Sequence, residues 1–156
     1  MTRKLLPLLL AAAVLLTGCA ITLHDPPQGR EITLYLPNED GTGFDEVPTV
    51  IPPDGLLSQG VLDALREAVA LPTVVKVGRL EQTGQALTLE VTGDLAKALA
   101  GTGSTEEYMI LGSLVNSLLG AYGATTLSLT AGGAPLETGH DSYDGPLTFF
   151  ESGELV

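Results

Sequence analysis

One short loop, residues 140–145, gathers the densest set of side chains that could ligate a metal or carry out hydrolysis. Its two carboxylates, Asp141 and Asp144, could hold Ca²⁺ weakly together with backbone carbonyls. Ser142, His140 and Asp144 are also the residue types of a hydrolase triad, but groups so close along one loop rarely converge. The loop ends in an Asp-Gly pair, which is more typical of a polar turn. We therefore expect a turn here, and we predict no metal, no cofactor and no catalytic residue.

A second acidic stretch, residues 38–46, does not fit a calcium-binding loop. Aligning Asn38 and Asp40 with an EF-hand places Leu36 at the first ligand position and Val47 at the last, and neither side chain can coordinate a cation. The chain has 19 Asp and Glu residues, so some pair of carboxylates with glycosidase-like spacing is inevitable and indicates nothing. The nucleophile-elbow pattern G-x-S-x-G is absent from the sequence.

Cys19, the single cysteine of the chain, follows a basic start (Arg3 and Lys4), an apolar run over residues 5–16 and two small residues. This order is typical of a secretory signal peptide. As a helix, the run would extend about 18 Å, well short of a hydrocarbon core of about 30 Å, so we expect cleavage rather than a membrane span. The alternative to a functional Cys19 is an ordinary signal peptide followed by a stray thiol.

The segment Leu16-Thr17-Gly18-Cys19 resembles the Leu-x-Gly-Cys box of bacterial lipoproteins. The resemblance implies that Cys19 is acylated with palmitate-type chains, becomes the mature N-terminus and anchors the protein to the outer face of the cytoplasmic membrane. The predicted layout is then a signal peptide over residues 1–18, a tether over 19–30 that is broken by prolines, one domain over 31–151 and a tail over 152–156.

The charge of the chain limits its partners. The formal net charge is −12, and it becomes more negative when Arg3 and Lys4 leave with the signal. Such a chain would repel nucleic acid, so no nucleic-acid partner is expected. It would also be repelled by an anionic membrane, so contact with the lipid bilayer must come from the acyl chains on Cys19.

Two main helices and a short one are predicted. Asp54 is a candidate N-cap for a helix that begins near Gly55 and ends before Pro72. A short helical piece covers residues 94–99. Ser104 and Glu107 form a capping box for the longest helix, and Gly123 is its expected C-terminal glycine. The apolar stripe of that helix consists of Tyr108, Leu111, Val115, Leu118, Leu119 and Tyr122, and the remaining faces carry Gly112, Ser113, Asn116 and Gly120.

Alternating or β-branched runs predict the strands, and Leu87, Leu89 and Val91 should share one face. The segment 47–51 contains Pro48, and Pro52 follows it, so we expect it at a sheet edge. The element order is strand, helix, hairpin, helix, strand. It favours an α+β domain in which an antiparallel or mixed sheet carries the two main helices on one face. The predicted strands cover residues 32–36, 47–51, 74–80, 87–91, 126–131 and, as a terminal strand, 146–150.

The serial order of these elements resembles the GerMN domain of sporulation and germination lipoproteins of the GerM type. The resemblance covers residues 31–150 and is carried by the sequences at 32–37, 64–72, 87–91, 104–108, 115–118, 126–129 and 145–147. It implies a non-catalytic assembly module whose partners are envelope or sporulation proteins. The known architectures carry two such domains in tandem or add a β-propeller, whereas this chain has one.

Two functions follow as hypotheses. The leading one is a membrane-tethered protein-interaction domain without catalysis, which presents a sheet edge such as residues 47–51 to a partner. The alternative is a cell-envelope enzyme or a ligand- or metal-binding module that uses the acidic loops. The partner-binding residues stay unassigned.

Overall fold

In a computed structural model, residues 28–69 and 71–152 are described, and they form a mixed α+β fold with two sheets and three helices. The signal peptide, Cys19 and most of the tether precede residue 28, so those predictions lie outside the described residues, as does most of the predicted tail.

Each element is bounded as follows. The helices are α1 (Leu57–Ala68), α2 (Asp94–Leu99) and α3 (Ser104–Tyr122). The strands are β1 (Arg30–Pro37), β2 (Phe44–Ile51), β3 (Val77–Thr83), β4 (Ala86–Val91), β5 (Thr126–Ala131), β6 (Ala134–Glu137) and β7 (Ser142–Tyr143).

The strands divide into two sheets. β1 and β2 form an antiparallel hairpin that is a sheet of its own, with Arg30 opposite Ile51 and Pro37 opposite Phe44. The other sheet has five strands in the order β3-β4-β5-β6-β7. Its β4 and β5 run parallel, because α2 and α3 cross over between them, and its remaining pairs are antiparallel. The predicted α+β class with a mixed sheet is therefore confirmed.

One face of the five-stranded sheet is buried. Leu87, Leu89 and Val91 alternate with exposed residues along β4, as the sequence predicts, and Leu127 and Leu129 do the same along β5. These side chains share a core with Val61 and Leu65 of α1 and with an apolar face of α3. The α3 residues of that core are Ile110, Leu111, Leu114, Val115, Leu118 and Leu119.

Helix α3 is buried on nearly every side rather than on one stripe. Every residue from 109 to 119 is buried, including Gly112, Ser113 and Asn116, which the sequence assigns to the other faces of an amphipathic helix. The reason is the separate hairpin: β1 packs along the side of α3 that faces away from the five-stranded sheet, and Phe44 at the start of β2 meets Gly112. The helix therefore lies between two sheets.

Both predicted N-caps are wrong. α1 starts after Leu56 with no side-chain cap. The backbone N–H of Ser58 donates to the hydroxyl of Tyr122 from α3, and not to the side chain of Asp54. α3 has no side-chain cap, because its N-cap is Gly103, which has no side chain, and Ser104 is already the first helical residue. The carboxylate of Glu107 turns into the core. The predicted C-terminal glycine is confirmed, since Gly123 adopts a left-handed conformation with φ 61°.

Three predicted strand positions are also corrected. The strand predicted over residues 74–80 lies three residues later, as β3. β2 begins at Phe44, before the prolines that suggested a short strand over 47–51. Residues 146–150 form no strand: Leu147 makes one bridge to Leu127, and the five-stranded sheet is completed by β6 and β7. The apolar side chains of this final segment pack instead on aromatic residues beside α3.

Candidate functional site

A groove of about 360 Å³ lies between the outer face of the hairpin and the C-terminal turn of α3. We call it the hairpin groove. The ring of Tyr35 packs on Gly120, where an added Cβ would come within 3.2 Å of Cε2 of the tyrosine. A side chain at position 120 would therefore push this ring away from the helix. The groove is lined by Glu31, Ile32, Thr33, Tyr35, Pro48, Gly120 and Ala121.

The edge of β1 at this groove is partly open. The backbone N–H of Tyr35 donates to Oγ of Ser117 in α3 at 2.9 Å, so it points away from β2. Since the pairing of β1 with β2 has no register shift, the N–H groups of Glu31 and Thr33 also point away from β2. Ser117 thus closes one end of the edge. Among residues 28–69 and 71–152, none bonds to the outward backbone groups of Glu31 and Thr33, which are two positions where another chain could pair.

The opposite edge of the hairpin, on β2, is less suited to strand pairing. By the same alternation, Glu46, Pro48 and Val50 direct their backbone groups outward. Pro48 has no N–H, so the middle donor of this edge is missing. Residues 47–51 therefore lie in an edge strand, as predicted, but the better edge for augmentation is on β1.

The hairpin groove is acidic. Burial raises the pKa of the Tyr35 hydroxyl above its ordinary value, and the negative charge of Glu46 across the strand pair raises it further. The ion pairs found within the described residues join Arg66 to Asp63, Arg79 to Glu81 and Lys97 to Asp94, so none neutralises Glu31 or Glu46. The groove accordingly favours an extended segment that carries positive charge.

Aromatic rings extend from the groove along α3. Tyr35 meets Phe149 edge-on at 5.4 Å between ring centroids, and Tyr108 lies 4.9 Å from Phe150. The C-terminal segment is fixed there by Asn116, whose side chain donates to the carbonyl of Phe150 at 3.0 Å and accepts its N–H at 2.8 Å. One amide side chain therefore replaces the strand partner that this segment lacks.

The loop 140–145, which held the sequence-based candidates, is organised around Thr138. The Thr138 hydroxyl accepts the backbone N–H groups of His140 at 3.2 Å and Asp141 at 3.0 Å, and it donates to Oε1 of Glu107 at 2.7 Å. Oδ1 of Asp141 accepts the N–H of Ser142 at 2.7 Å. These are the contacts of a polar turn.

The structure does not bring the triad residues together. The ring of His140 contacts the carbonyl of Thr102 at 2.9 Å, on the turn before α3, rather than the hydroxyl of Ser142. Asp141 and Asp144 are exposed. Within residues 28–69 and 71–152, no three His, Cys, Asp or Glu side chains are arranged to hold a metal ion.

Glu107 is the acidic residue that the sequence pattern misassigned. It is 2% exposed, and its Oε1 also accepts the hydroxyl of Tyr143 at 2.8 Å. Burial raises the pKa of Tyr143 well above its usual range, and the bond to the Glu107 carboxylate and its charge add to this. Oε2 of Glu107 has no hydrogen-bond partner among the described residues. Glu107, Thr138 and Tyr143 thus join the loop to α3 as a structural cluster.

Sequence reasoning also missed Ser117, Gly120 and Thr33. Their spacing carries one usable signal, because Gly112, Asn116 and Gly120 recur every four residues and form a line of small or polar residues along one side of a helix. Such a line allows another element to approach closely, but it does not say which one.

Comparison with known proteins identifies a structural similarity but no family. No family model and no curated protein matches the chain. The fold is similar to that of the crystal structure of a candidate lipoprotein from Clostridium perfringens, with a TM-score of 0.50 and 14% sequence identity over 77% of this chain and 87% of the other. At that identity the similarity concerns the fold alone. None of the helices in the described part of the chain is long and apolar enough to cross a membrane.

Proposed function

We propose that this protein is an exported lipoprotein whose folded domain, held outside the cytoplasmic membrane by acylated Cys19, binds a protein partner without catalysis. The Leu-x-Gly-Cys box supports the anchor, and β1 begins at Arg30, shortly after it. The fold shared with a protein described as a candidate lipoprotein agrees with this proposal.

The binding function rests on one observation, the open edge of β1 at Glu31 and Thr33 beside the hairpin groove. An extended segment of the partner would pair with these two backbone positions and place basic side chains near Glu31 and Glu46. Main-chain hydrogen bonds would give affinity, and the acidic groove would select the sequence. Ser117 would set the register, because it already occupies the N–H of Tyr35.

The finer form of this proposal is a GerMN-type assembly module whose partners are envelope or sporulation proteins. It rests on the sequence resemblance over residues 31–150. Deletion of the protein in its host should then impair an envelope structure or spore formation, and normal growth and sporulation of the deletion strain would contradict this finer form.

Anchoring is tested with Cys19→Ala. We expect the unprocessed precursor to accumulate or the protein to leave the membrane fraction, because acylation needs the thiol and no described helix spans the membrane. Normal processing together with unchanged recovery in the membrane fraction would contradict a lipid anchor.

Binding is tested with Thr33→Pro. This substitution removes the outward N–H and leaves the β1–β2 ladder intact, since that N–H points away from β2. The matched control neutralises the loop with His140→Ala, Asp141→Asn and Asp144→Asn. We expect cellular function to fail in the first variant and to persist in the second, with both folds verified by circular dichroism. The opposite pattern would favour the enzyme or metal-binding alternative.

A further inference from the structure

The tether emerges at one end of the hairpin, which we call the tether end: residues 28–31 and 50–56. Gly29 lies so close to Val50 and Ile51 that a Cβ on it would come within 2.5 Å of Cγ1 of the valine. Nη2 of Arg30 donates to the carbonyl of Gly55 at 3.4 Å. The entering chain is thus fixed between the end of β2 and the loop that leads into α1.

The tether end exposes two large aliphatic side chains. Leu56 is 67% exposed and Val50 is 49% exposed, which are large fractions for aliphatic side chains. Pro52 and Pro53 are exposed between them. A shallow groove of about 290 Å³ runs beside Leu56 and continues along the first turn of α1. Nothing in the fold of the described residues covers this surface.

The opposite end of the hairpin has a different charge. Its tip, residues 38–46, carries Glu39, Asp40, Asp45 and Glu46 and no Lys or Arg, whereas the tether end carries Arg30 against Glu31 and Asp54. β1 separates the two ends by about 23 Å, at about 3.3 Å per residue. This distance exceeds the Debye length of about 8 Å at physiological salt, so the acidic tip is screened from a surface at the tether end.

From these observations we infer that the tether end rests on the lipid surface, with Leu56 and Val50 in the interfacial layer and the acidic hairpin tip directed away from it. The inference rests on the proposed lipid anchor. The eight residues 20–27 between Cys19 and the tether end reach at most about 29 Å, and the tether keeps the local concentration of the surface high. A weak apolar contact is then sufficient, and the reverse orientation would bring four carboxylates against anionic headgroups.

The orientation is tested with the full acylated protein in vesicles of phosphatidylethanolamine containing a minority of phosphatidylglycerol and a spin-labelled lipid. Cys19 is the only native cysteine, and acylation blocks it, so Leu56→Cys and Thr42→Cys each provide one site for a polarity-sensitive fluorophore. We expect several-fold stronger quenching by the spin-labelled lipid at position 56 than at position 42, on the tip. Equal quenching at the two positions would overturn the inference.

A second measurement removes the apolar contact without a probe at position 56. Leu56→Asp should release the tether end from the bilayer, seen as a change in energy transfer from a donor at position 42 in Thr42→Cys to an acceptor lipid and as freer rotation of that donor. Val74→Asp is the matched control, because Val74 is 56% exposed but lies outside the tether end. Identical behaviour of the two Asp variants would overturn the inference.

The same samples separate the inference from the proposed anchor. Loss of acylation would appear as a missing lipid mass and poor recovery with vesicles, and it would overturn both proposals. Full recovery with vesicles and equal quenching would overturn the orientation alone. Quenching at position 56 by a protein-borne quencher, rising with protein density, would assign this surface to a second copy of the chain and also overturn the orientation.

Discussion

The two sides of α3 hold the molecule together in different ways. The core side presents large apolar residues such as Leu111, Leu114 and Leu118 to the five-stranded sheet. The hairpin side presents Gly112, Asn116 and Ser117 to the hairpin and the C-terminal segment. The first side therefore depends on burial of area and the second on close approach and on particular hydrogen bonds.

The difference shows how one helix can serve two sheets of unequal size. The core side tolerates exchanges that keep hydrophobic volume, because dispersion and burial are non-directional. The hairpin side does not, since a Cβ at Gly112 would lie 2.3 Å from Cζ of Phe44. The small hairpin lacks enough apolar area to be stable alone. It gains order from its neighbours, because Leu34 joins the main core and Ser117 accepts the N–H of Tyr35.

The largest effect is expected on the core side. Leu118 is 1% exposed within the main core, so Leu118→Ala should lower the free energy of unfolding by about 2–5 kcal/mol through lost burial and a residual cavity. Urea denaturation measures this change. A loss of less than about 0.5 kcal/mol would mean that the core side is not the main source of stability.

The hairpin side should respond next to Asn116→Ala. This change removes both bonds to the backbone of Phe150 and leaves its N–H and carbonyl without those partners, at a cost of about 2–3 kcal/mol. The C-terminal segment should also become the first site of limited proteolysis. Unchanged proteolysis after residue 145 would show that aromatic packing, not Asn116, holds the segment.

Tyr143→Phe tests the hydrogen bond to Glu107, a charged residue of α3 that is buried. It removes one hydrogen bond to the carboxylate and should cost about 1.5 kcal/mol at neutral pH. The raised pKa of Tyr143 means that folding disfavours its ionised form. The stability that protonated Tyr143 contributes is therefore complete below the ordinary tyrosine pKa of 10.0, and it declines as the pH rises above that value.

The matching measurement is the urea midpoint as a function of pH. The wild-type protein should lose stability above pH 10.0 more steeply than Tyr143→Phe does. Tyr35 keeps some alkaline dependence in both proteins, since its pKa is also raised. Identical alkaline slopes would show that folding does not raise the pKa of Tyr143.

The smallest effects compare two serines one helical turn apart. Ser117→Ala should destabilise by about 1 kcal/mol, because the N–H of Tyr35 loses its acceptor. Ser113 is fully buried and its hydroxyl has no partner among the described residues, so Ser113→Ala should be neutral or stabilising by up to about 1 kcal/mol. If both variants changed the free energy of unfolding in the same direction, the hydrogen bond of Ser117 to Tyr35 would not be what stabilises the hairpin side.

Much of the architecture was predictable where a local pattern has one meaning. The alternation of Leu87, Leu89 and Val91 identified a half-buried strand, and Gly123 marked the end of the longest helix because glycine adopts the left-handed conformation without strain. Leu118 was placed in the core by helical periodicity alone. The polar turn at His140 and Asp141 also followed from the side chains, although Ser142 and Tyr143, inside the same loop, form the strand β7.

The candidate site was less predictable. Glu107 matches a capping box in spacing, but its role depends on Thr138 and Tyr143, which come from a later part of the chain. The open edge of β1 depends on Ser117, which lies 82 residues after Tyr35. No local pattern reports such distant partners.

The sequence by itself determined the type of most elements, the apolar side of α3, the acidic character and the box around Cys19, because periodicity, composition and turn chemistry act over a few residues. Only the tertiary structure decided that the hairpin forms a separate sheet, that Gly112 and Gly120 face it and that Asn116 holds the C-terminal segment. It also decided which hairpin edge stays open. These features depend on contacts between elements that are far apart along the chain. A local sequence pattern shows only that a helix face carries small or polar residues.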